Sequence, residues 1–248
     1  MNRQQVNHFT QAGYLRVPGR LDEAIVAELT SVVETVFAEA QEPYRVNATG
    51  DIFRVDGLLD RHPVFLQALG SAAILEPLVA LLGPDIEVLR YRHNHATRNR
   101  AGDTPYRLHR DIQQWSRPLV NVFIYLDDST VENGCTHVVP CSQALPYEGC
   151  QSGEGGGNWA DEHDGYQHIM GQELPIPMPR GGVLLLNALA FHTVGRNVTT
   201  GPRRSIVFAC HSTDDLRKGT NESSVLLAGR RFFRGNQRTP LLARPITD

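Results

Sequence analysis

"GGVLLLNALAFHTVGRNVTTGPRRSIVFACHS", residues 181 to 212, decides how this chain is read. Two β-rich runs, 181–194 and 203–212, flank a turn centred on "TTGP", and the reading is of two antiparallel neighbours joined by that turn. The first run carries His192 at its end and the second opens on Arg203-Arg204, so a hairpin would carry an arginine guanidinium deep behind His192. Upstream the texture repeats. "IEVLRYRHNH" (86–95), "RLHRDIQQW" (107–115), "LVNVFIYLDD" (119–128) and "THVVPCSQ" (136–143) are short strand-like runs punctuated by "AGDTP" and "ENG". Strands at this cadence predict a sandwich or a jelly-roll barrel.

The first third reads as helical instead. In "LDEAIVAELTSVVETVFAEA" (21–40), Leu21, Ile25, Leu29, Val32, Val33, Val36 and Phe37 form one stripe, with Asp22 and Glu23 at the positive end of the dipole. Residues 63–83 read as two short helices broken at Gly70-Ser71 and stopped by Gly83-Pro84. The expected class is therefore α+β: mainly β with flanking helices. A helical part at about 1–85 precedes a β core at about 86–212 and a tail at 213–248, all in a single domain, 1–248. Residues 147–182, rich in Gly and polar residues, form a loop of the length used for lids or binding loops, and the tail carries no comparable signal.

Composition narrows the function classes. A net charge of −3 gives no bias toward nucleic acid or acidic membranes, and the basic residues are arginines except for Lys218. Cys135, Cys141, Cys150 and Cys210 have no C-x-x-C spacing and read as free thiols in a reducing compartment. The opening residues contain no apolar signal core and no run reaches membrane-spanning length, so the expectation is a cytoplasmic protein with a small-molecule partner. Asn197-Val198-Thr199 is a formal glycosylation sequon that reads as a turn.

His109 and Asp111 stand one residue apart, which in an extended segment aims both side chains at the same space. Alone, the pair is equally a structural hydrogen bond. With His192 it supplies two imidazoles and a carboxylate, the donor set that holds Fe(II) on one face and leaves positions open for a 2-oxo acid and dioxygen. Arg203 adds the planar fork that grips the distal carboxylate of 2-oxoglutarate. In "IEVLRYRHNH", alternation places Leu89, Tyr91, His93 and His95 on the inner face, so Tyr91 and His93 are candidates for contacting substrate. His93-x-His95 is also the metal pair of a cupin reading, but no carboxylate follows in "ATRNR". Gln113 and Trp115 share the face of Asp111 if the strand stays regular and are further substrate candidates. Cys135, His137 and Cys141 lack the fourth ligand a zinc site needs.

The order of these elements resembles the phytanoyl-CoA dioxygenase family of Fe(II)/2-oxoglutarate-dependent oxygenases. "FTQAGYLRVPGRLD" resembles its N-terminal entry, "LHRDIQQW" its iron-binding His-x-Asp, "ENGCTHVVPCSQ" its Asn-Gly turn and Val-Pro strand, and 181–205 its second-histidine strand and arginine. The resemblance runs from about residue 9 to 210 and leaves 147–180 unmatched. It implies a double-stranded β-helix, a cupin-like jelly roll with N-terminal helices packed on one sheet. It further implies His109, Asp111 and His192 as iron ligands, Arg203 as the 2-oxoglutarate clamp and Ser205 as a second donor, with Arg204 turned away. Tyr125 falls beside the co-substrate. Fe(II), 2-oxoglutarate and O2 are the implied cofactor and co-substrates, and hydroxylation of a small metabolite the implied reaction. Because Asp111 is a carboxylate, halogenation is disfavoured. Two features depart from the family pattern: "PCSQ" replaces Pro-Gly-Ser-His, and no lysine precedes the His-x-Asp. The reading from another class is a non-catalytic or cupin-like barrel that binds a metal or an organic acid.

Overall fold

A computed structural model describes residues 1–103, 107–111, 119–146, 159–215 and 224–231. In chain order its main elements are α1 (Arg3–Ala12), β1 (Tyr14–Arg16), α2 (Glu23–Glu39), β2 (Tyr44–Val46), β3 (Ile52–Asp56), α3 (Val64–Leu69) and α4 (Ala72–Leu82). Then follow β4 (Ile86–Leu89), β5 (His95–Asn99), β6 (Val120–Tyr125), β7 (Thr136–Val138), β8 (Leu174–Ile176), β9 (Val183–Asn187), β10 (His192–Val194), β11 (Arg203–Ser212) and β12 (Ser224–Ala228). Local chemistry explains the helix ends. Asn2 and Gln5 close a reciprocal capping box on α1, Gly13 ends it at φ 83°, and Asp22 caps α2 by accepting from the Ala24 amide. The break at Gly70-Ser71 and the stop at Gly83 fall where the sequence places them.

Among the described residues every strand pair is antiparallel. The major sheet runs β1-β9-β6-β11-β5-β3-β2, and β4 joins it by pairing with β11 and with β12. Facing it is a three-stranded sheet, β10-β7-β8. This is the expected cupin-like jelly roll. The long strand β11 organises it, pairing with β6 along one edge and with β5 and then β4 along the other.

Alternation along the strands separates two cores. Val122, Ile124, Ile206, Phe208, Val183 and Leu185 turn toward α2, α3 and α4. Their neighbours Phe123, Tyr125, Val207, Leu184 and Leu186 turn inward and meet Val138 and Ile176 of the small sheet. The helices therefore cover one face of the major sheet, and the other face lines the barrel. Among the described residues no helix is long and apolar enough to cross a membrane. Cys135, Cys141 and Cys210 are free thiols, whereas Cys150 lies outside the described residues.

Three expectations change. The first 85 residues are not only helical: β1 pairs with β9, and the hairpin β2–β3 extends the major sheet through β5. Its turn is made by Asn47, whose side-chain oxygen accepts from the Thr49 and Asp51 amides, a local signal that apolar periodicity passes over. Secondly, β10 and β11 are not hairpin neighbours. They lie in facing sheets, and 195–202 crosses between them, fastened by Asn197, whose amide donates to Asn99 O and Gly201 O. Thirdly, "IEVLRYRHNH" is not one strand. It bends between β4 and β5, and His93 sits at φ 45°. Tyr91 consequently faces outward, 79% exposed, instead of sharing an inner face with His93.

Candidate metal centre

Backbone pairing builds the centre. His109 and His192 exchange both amide-to-carbonyl bonds, at 3.0 and 2.8 Å, and the Asp111 amide donates to Ala188 O at 2.9 Å. The segment 107–111 is therefore fastened along 188–192, which sets the two imidazoles opposite each other with ring centroids 4.4 Å apart. The donor atoms of His109, Asp111 and His192 all lie within 4.8 Å of one another. Nε2 of His109 is 3.5 Å from Asp111 Oδ1, and Nε2 of His192 is 3.4 Å from Oδ2.

Hydrogen bonds around this trio prepare it for a cation. Nδ1 of His109 meets Arg107 O at 2.8 Å, and Nδ1 of His192 meets Ala190 O at 3.1 Å. A carbonyl only accepts, so in each neutral ring the proton sits on Nδ1 and the Nε2 lone pair faces the centre. Burial pushes the His192 pKa down to about 4, which keeps the ring neutral at physiological pH. For Asp111, burial works toward a higher pKa, but His93, His192 and His109 outweigh it and hold the carboxyl well below the usual carboxylate range. Asn121 of β6 donates its side-chain amide to Asp111 Oδ2. Two imidazoles that turn Nε2 to the centre and an ionised, oriented carboxylate fit a divalent iron.

Arg203 opens β11 on the inner face. It is 2% exposed, its Nε has no partner, and no carboxylate among the described residues pairs with it. A buried guanidinium without a carboxylate partner is costly, and an anion beside it would offset that cost. Ser205 lies two residues on, its hydroxyl 2.9 Å from that of Thr97. Tyr125 stands opposite Ser205 on β6 and bonds Thr136 Oγ1 at 2.8 Å; burial pushes its pKa up to about 12. Arg204 turns to the helical face as expected, where it pairs with Asp127 and Glu34 at 2.5 Å and ties β11 to α2.

Other candidates divide. His93 reaches the centre, its Nε2 3.4 Å from Asp111 Oδ1, although neither it nor His95 joins the trio of metal donors. Tyr91 points away. Gln113 and Trp115 lie outside the described residues. The described part of the long loop closes on the centre: Trp159 bridges to His109 with ring centroids 5.2 Å apart, and the Ala160 amide donates to Leu108 O at 2.9 Å. Arg107 lies over the Trp159 ring and pairs with Asp161 and Glu162. Sequence reading missed Asn121, Thr97, Thr136 and Trp159. Each comes from a distant segment and carries no motif; only the period-2 placement of Asn121 on an inward strand face could have drawn notice.

The depressed histidines give a pH signature to the metal-free protein. His93, like His192, is held at about 4, by burial first and by Arg92 and Arg54 beside it. Between their ordinary value of 6.5 and about 4, the unfolded chain binds protons that the fold refuses, so stability falls as pH falls through that window. The loss is on the order of 3 kcal/mol for each ring. Melting curves of metal-free protein across this range are expected to drop steeply, and His192→Gln to flatten them. Superimposable wild-type and variant curves would contradict the assignment.

Comparison with known proteins agrees with this geometry. A family model described as phytanoyl-CoA dioxygenase (PhyH) matches residues 9–205. Dioxygenase af480 of Aspergillus fumigatus is 25% identical over 239 residues, covering 88% of this chain and 69% of that protein. The crystal structure of the epimerase SnoN with Fe3+, alpha-ketoglutarate and nogalamycin RO superposes with a TM-score of 0.73 at 20% identity, over 87% of this chain and 85% of SnoN. HygX from Streptomyces hygroscopicus, solved with nickel and 2-oxoglutarate bound, gives 0.65 at 20% identity, over 86% and 88% of the two chains. At these identities the two structures establish a shared fold.

Proposed function

The chain belongs to the phytanoyl-CoA dioxygenase family of Fe(II)/2-oxoglutarate-dependent oxygenases, and from that membership we propose that it hydroxylates an unactivated C–H bond of a small-molecule metabolite or biosynthetic intermediate. Succinate and carbon dioxide are the co-products. His109, Asp111 and His192 hold the iron, and Arg203, helped by Ser205 and Tyr125, holds the far carboxylate of 2-oxoglutarate. Iron and 2-oxoglutarate, when bound, supply the oxidising power from dioxygen; the chain supplies position and dryness.

The observation that carries the reading is Arg203, a buried guanidinium with an unsatisfied Nε on the same barrel face that the trio closes. Arginine offers two parallel N–H bonds to one carboxylate, and the Ser205–Thr97 hydroxyl pair adds donors beside it. Asn121 fixes the Asp111 carboxylate through its side-chain amide, so a carboxylate oxygen is held beside the Nε2 atoms of His109 and His192. The Asp111 carboxylate also fills the place a halide would need, which favours hydroxylation over halogenation. Trp159 and the ion-paired Arg107 cover His109 from the solvent side and limit access of water.

An anaerobic titration of metal-free protein with Fe(II) and 2-oxoglutarate tests this. Chelation of iron by both the keto oxygen and the carboxylate gives a visible charge-transfer band, and that band is the expected result. Its absence in folded protein would favour a barrel that binds metal or organic acid without turnover.

A further inference from the structure

We propose that His93, His95 and Arg54 form a substrate subsite beside the metal trio, and that it takes an oxyanion of the substrate, a carboxylate or a phosphonyl group. The proposal deepens the oxygenase reading and depends on it.

Strand register places the three together. His95 stands opposite Val207, and Thr97 opposite Ser205, on β5 and β11. Residues directly opposite share a face, and Val207 lies in the inner core with Val138 and Ile176 of the small sheet. The inner face continues onto β3, where Arg54 faces Thr97 and Asp56 faces His95, and onto β2, where Arg45 faces Arg54. The major sheet thus extends past the small sheet, whose strands are β10, β7 and β8, and carries a polar strip away from the metal.

The strip has unfilled bonding capacity. His93 Nε2 lies beside Asp111 without the geometry of a hydrogen bond, and His95 Nδ1 has no partner although the residue is only 5% exposed. The two rings are 6.0 Å apart between centroids. Arg54 directs both of its bonds at a single oxygen, Asp56 Oδ1, and makes no other bond through its remaining amino group. A buried polar atom without a partner is expensive, and the two on His93 and His95, with the half-buried Arg54 guanidinium on the same inner face, define a place for a ligand group. Its sign follows from the charges around it. Arg54 and Arg45 both act on the buried His95 as positive charges, and among the described residues the carboxylate on this face of β3 is Asp56, which Arg54 already holds. The strip also opens outward: His95 is buried, the Arg54 side chain is 19% exposed and Arg45 is at the surface. A small anion can enter past Arg45 and stop with its carbon chain at the metal.

The test is anaerobic calorimetry on protein loaded with Fe(II) and 2-oxoglutarate, with butyrate, propylphosphonate and the neutral butyramide as probes. Both anions are expected to bind at millimolar concentration, with butyramide at least tenfold weaker; the tighter anion names the oxyanion. Arg54→Gln should weaken anion binding tenfold or more. Arg45→Glu, at an exposed position of β2, should weaken it severalfold, and neither change should move the butyramide affinity. Equal binding of all three probes, binding of none, or wild-type anion affinity in both folded variants would overturn the subsite. The charge-transfer band recorded on the same samples separates these outcomes from failure of the oxygenase reading, in which no band forms.

Discussion

Replacing Arg203 with methionine is expected to weaken 2-oxoglutarate binding about 100- to 1,000-fold and, in the same protein without ligand, to raise the melting temperature. The two effects have opposite signs because one feature causes both. The guanidinium is buried, its Nε has no partner and no carboxylate among the described residues pairs with it, so the fold carries a charge removed from water with little to offset it. Burial pulls its pKa below the ordinary arginine value, the direction expected of a cation that the fold leaves uncompensated. A methionine of similar length restores apolar packing against Tyr125 and its neighbours, a replacement worth about 1–4 kcal/mol in buried ionic sites. In a chain of this size each kcal/mol moves the transition by about 2–4 °C. Binding then loses the two-bond fork, and Arg203→Lys, which keeps charge but not geometry, should fall between the two. Titration of the charge-transfer band gives the affinity, and a melting curve without ligand gives the stability. A variant that loses both would make Arg203 a structural residue and remove the clamp.

How much of this was legible depends on how local the signal is. One residue separates His109 from Asp111, and His192 and Arg203 stand at the two ends of one short connection, so sequence spacing alone brings each pair to one region. The joining of the two pairs is visible only through β-bridging of 109 with 192, a contact across 83 residues that periodicity cannot see. Even the correct residues came with an incorrect path: the 195–202 segment reads as a hairpin turn, yet it passes from one sheet to the other. Tyr91 shows the opposite failure. Alternation is a sound rule inside a strand, but the left-handed backbone at His93 ends the strand between Leu89 and His95 and resets which side faces inward. The hairpin β2–β3 carries no apolar stripe that sequence could show, because every residue in it but Val55 is exposed or half-exposed. That hairpin is what widens the inner face and carries Arg54.

Asp111→Ala should abolish the chemistry and also destabilise the metal-free protein, the reverse of the stability change expected at Arg203. Loss of a partner around a metal ligand typically costs 10- to 100-fold, so loss of the ligand itself should cost more than about 100-fold in iron affinity and in oxygen-dependent succinate formation. The stability sign follows from what surrounds the carboxylate. Asn121 donates to it and three histidines hold its pKa down, so the folded state prefers the ionised form more than the unfolded chain does. A group with a depressed folded pKa contributes stability above its unfolded value, here 3.8, and loses it as pH falls through the folded value. At neutral pH the alanine variant is left with an Asn121 amide lacking its acceptor, a cost of about 1–3 kcal/mol. The gap between wild-type and variant melting temperatures should therefore be widest near neutrality and close only well below pH 3.8. Unimpaired succinate formation in Asp111→Ala would remove this carboxylate from the mechanism; a melting gap independent of pH would mean that its charge does not hold the fold. Arg203 and Asp111 are both buried and ionised, yet one is left without a partner and the other is surrounded by them. That difference in surroundings is why the two substitutions are expected to change stability in opposite directions.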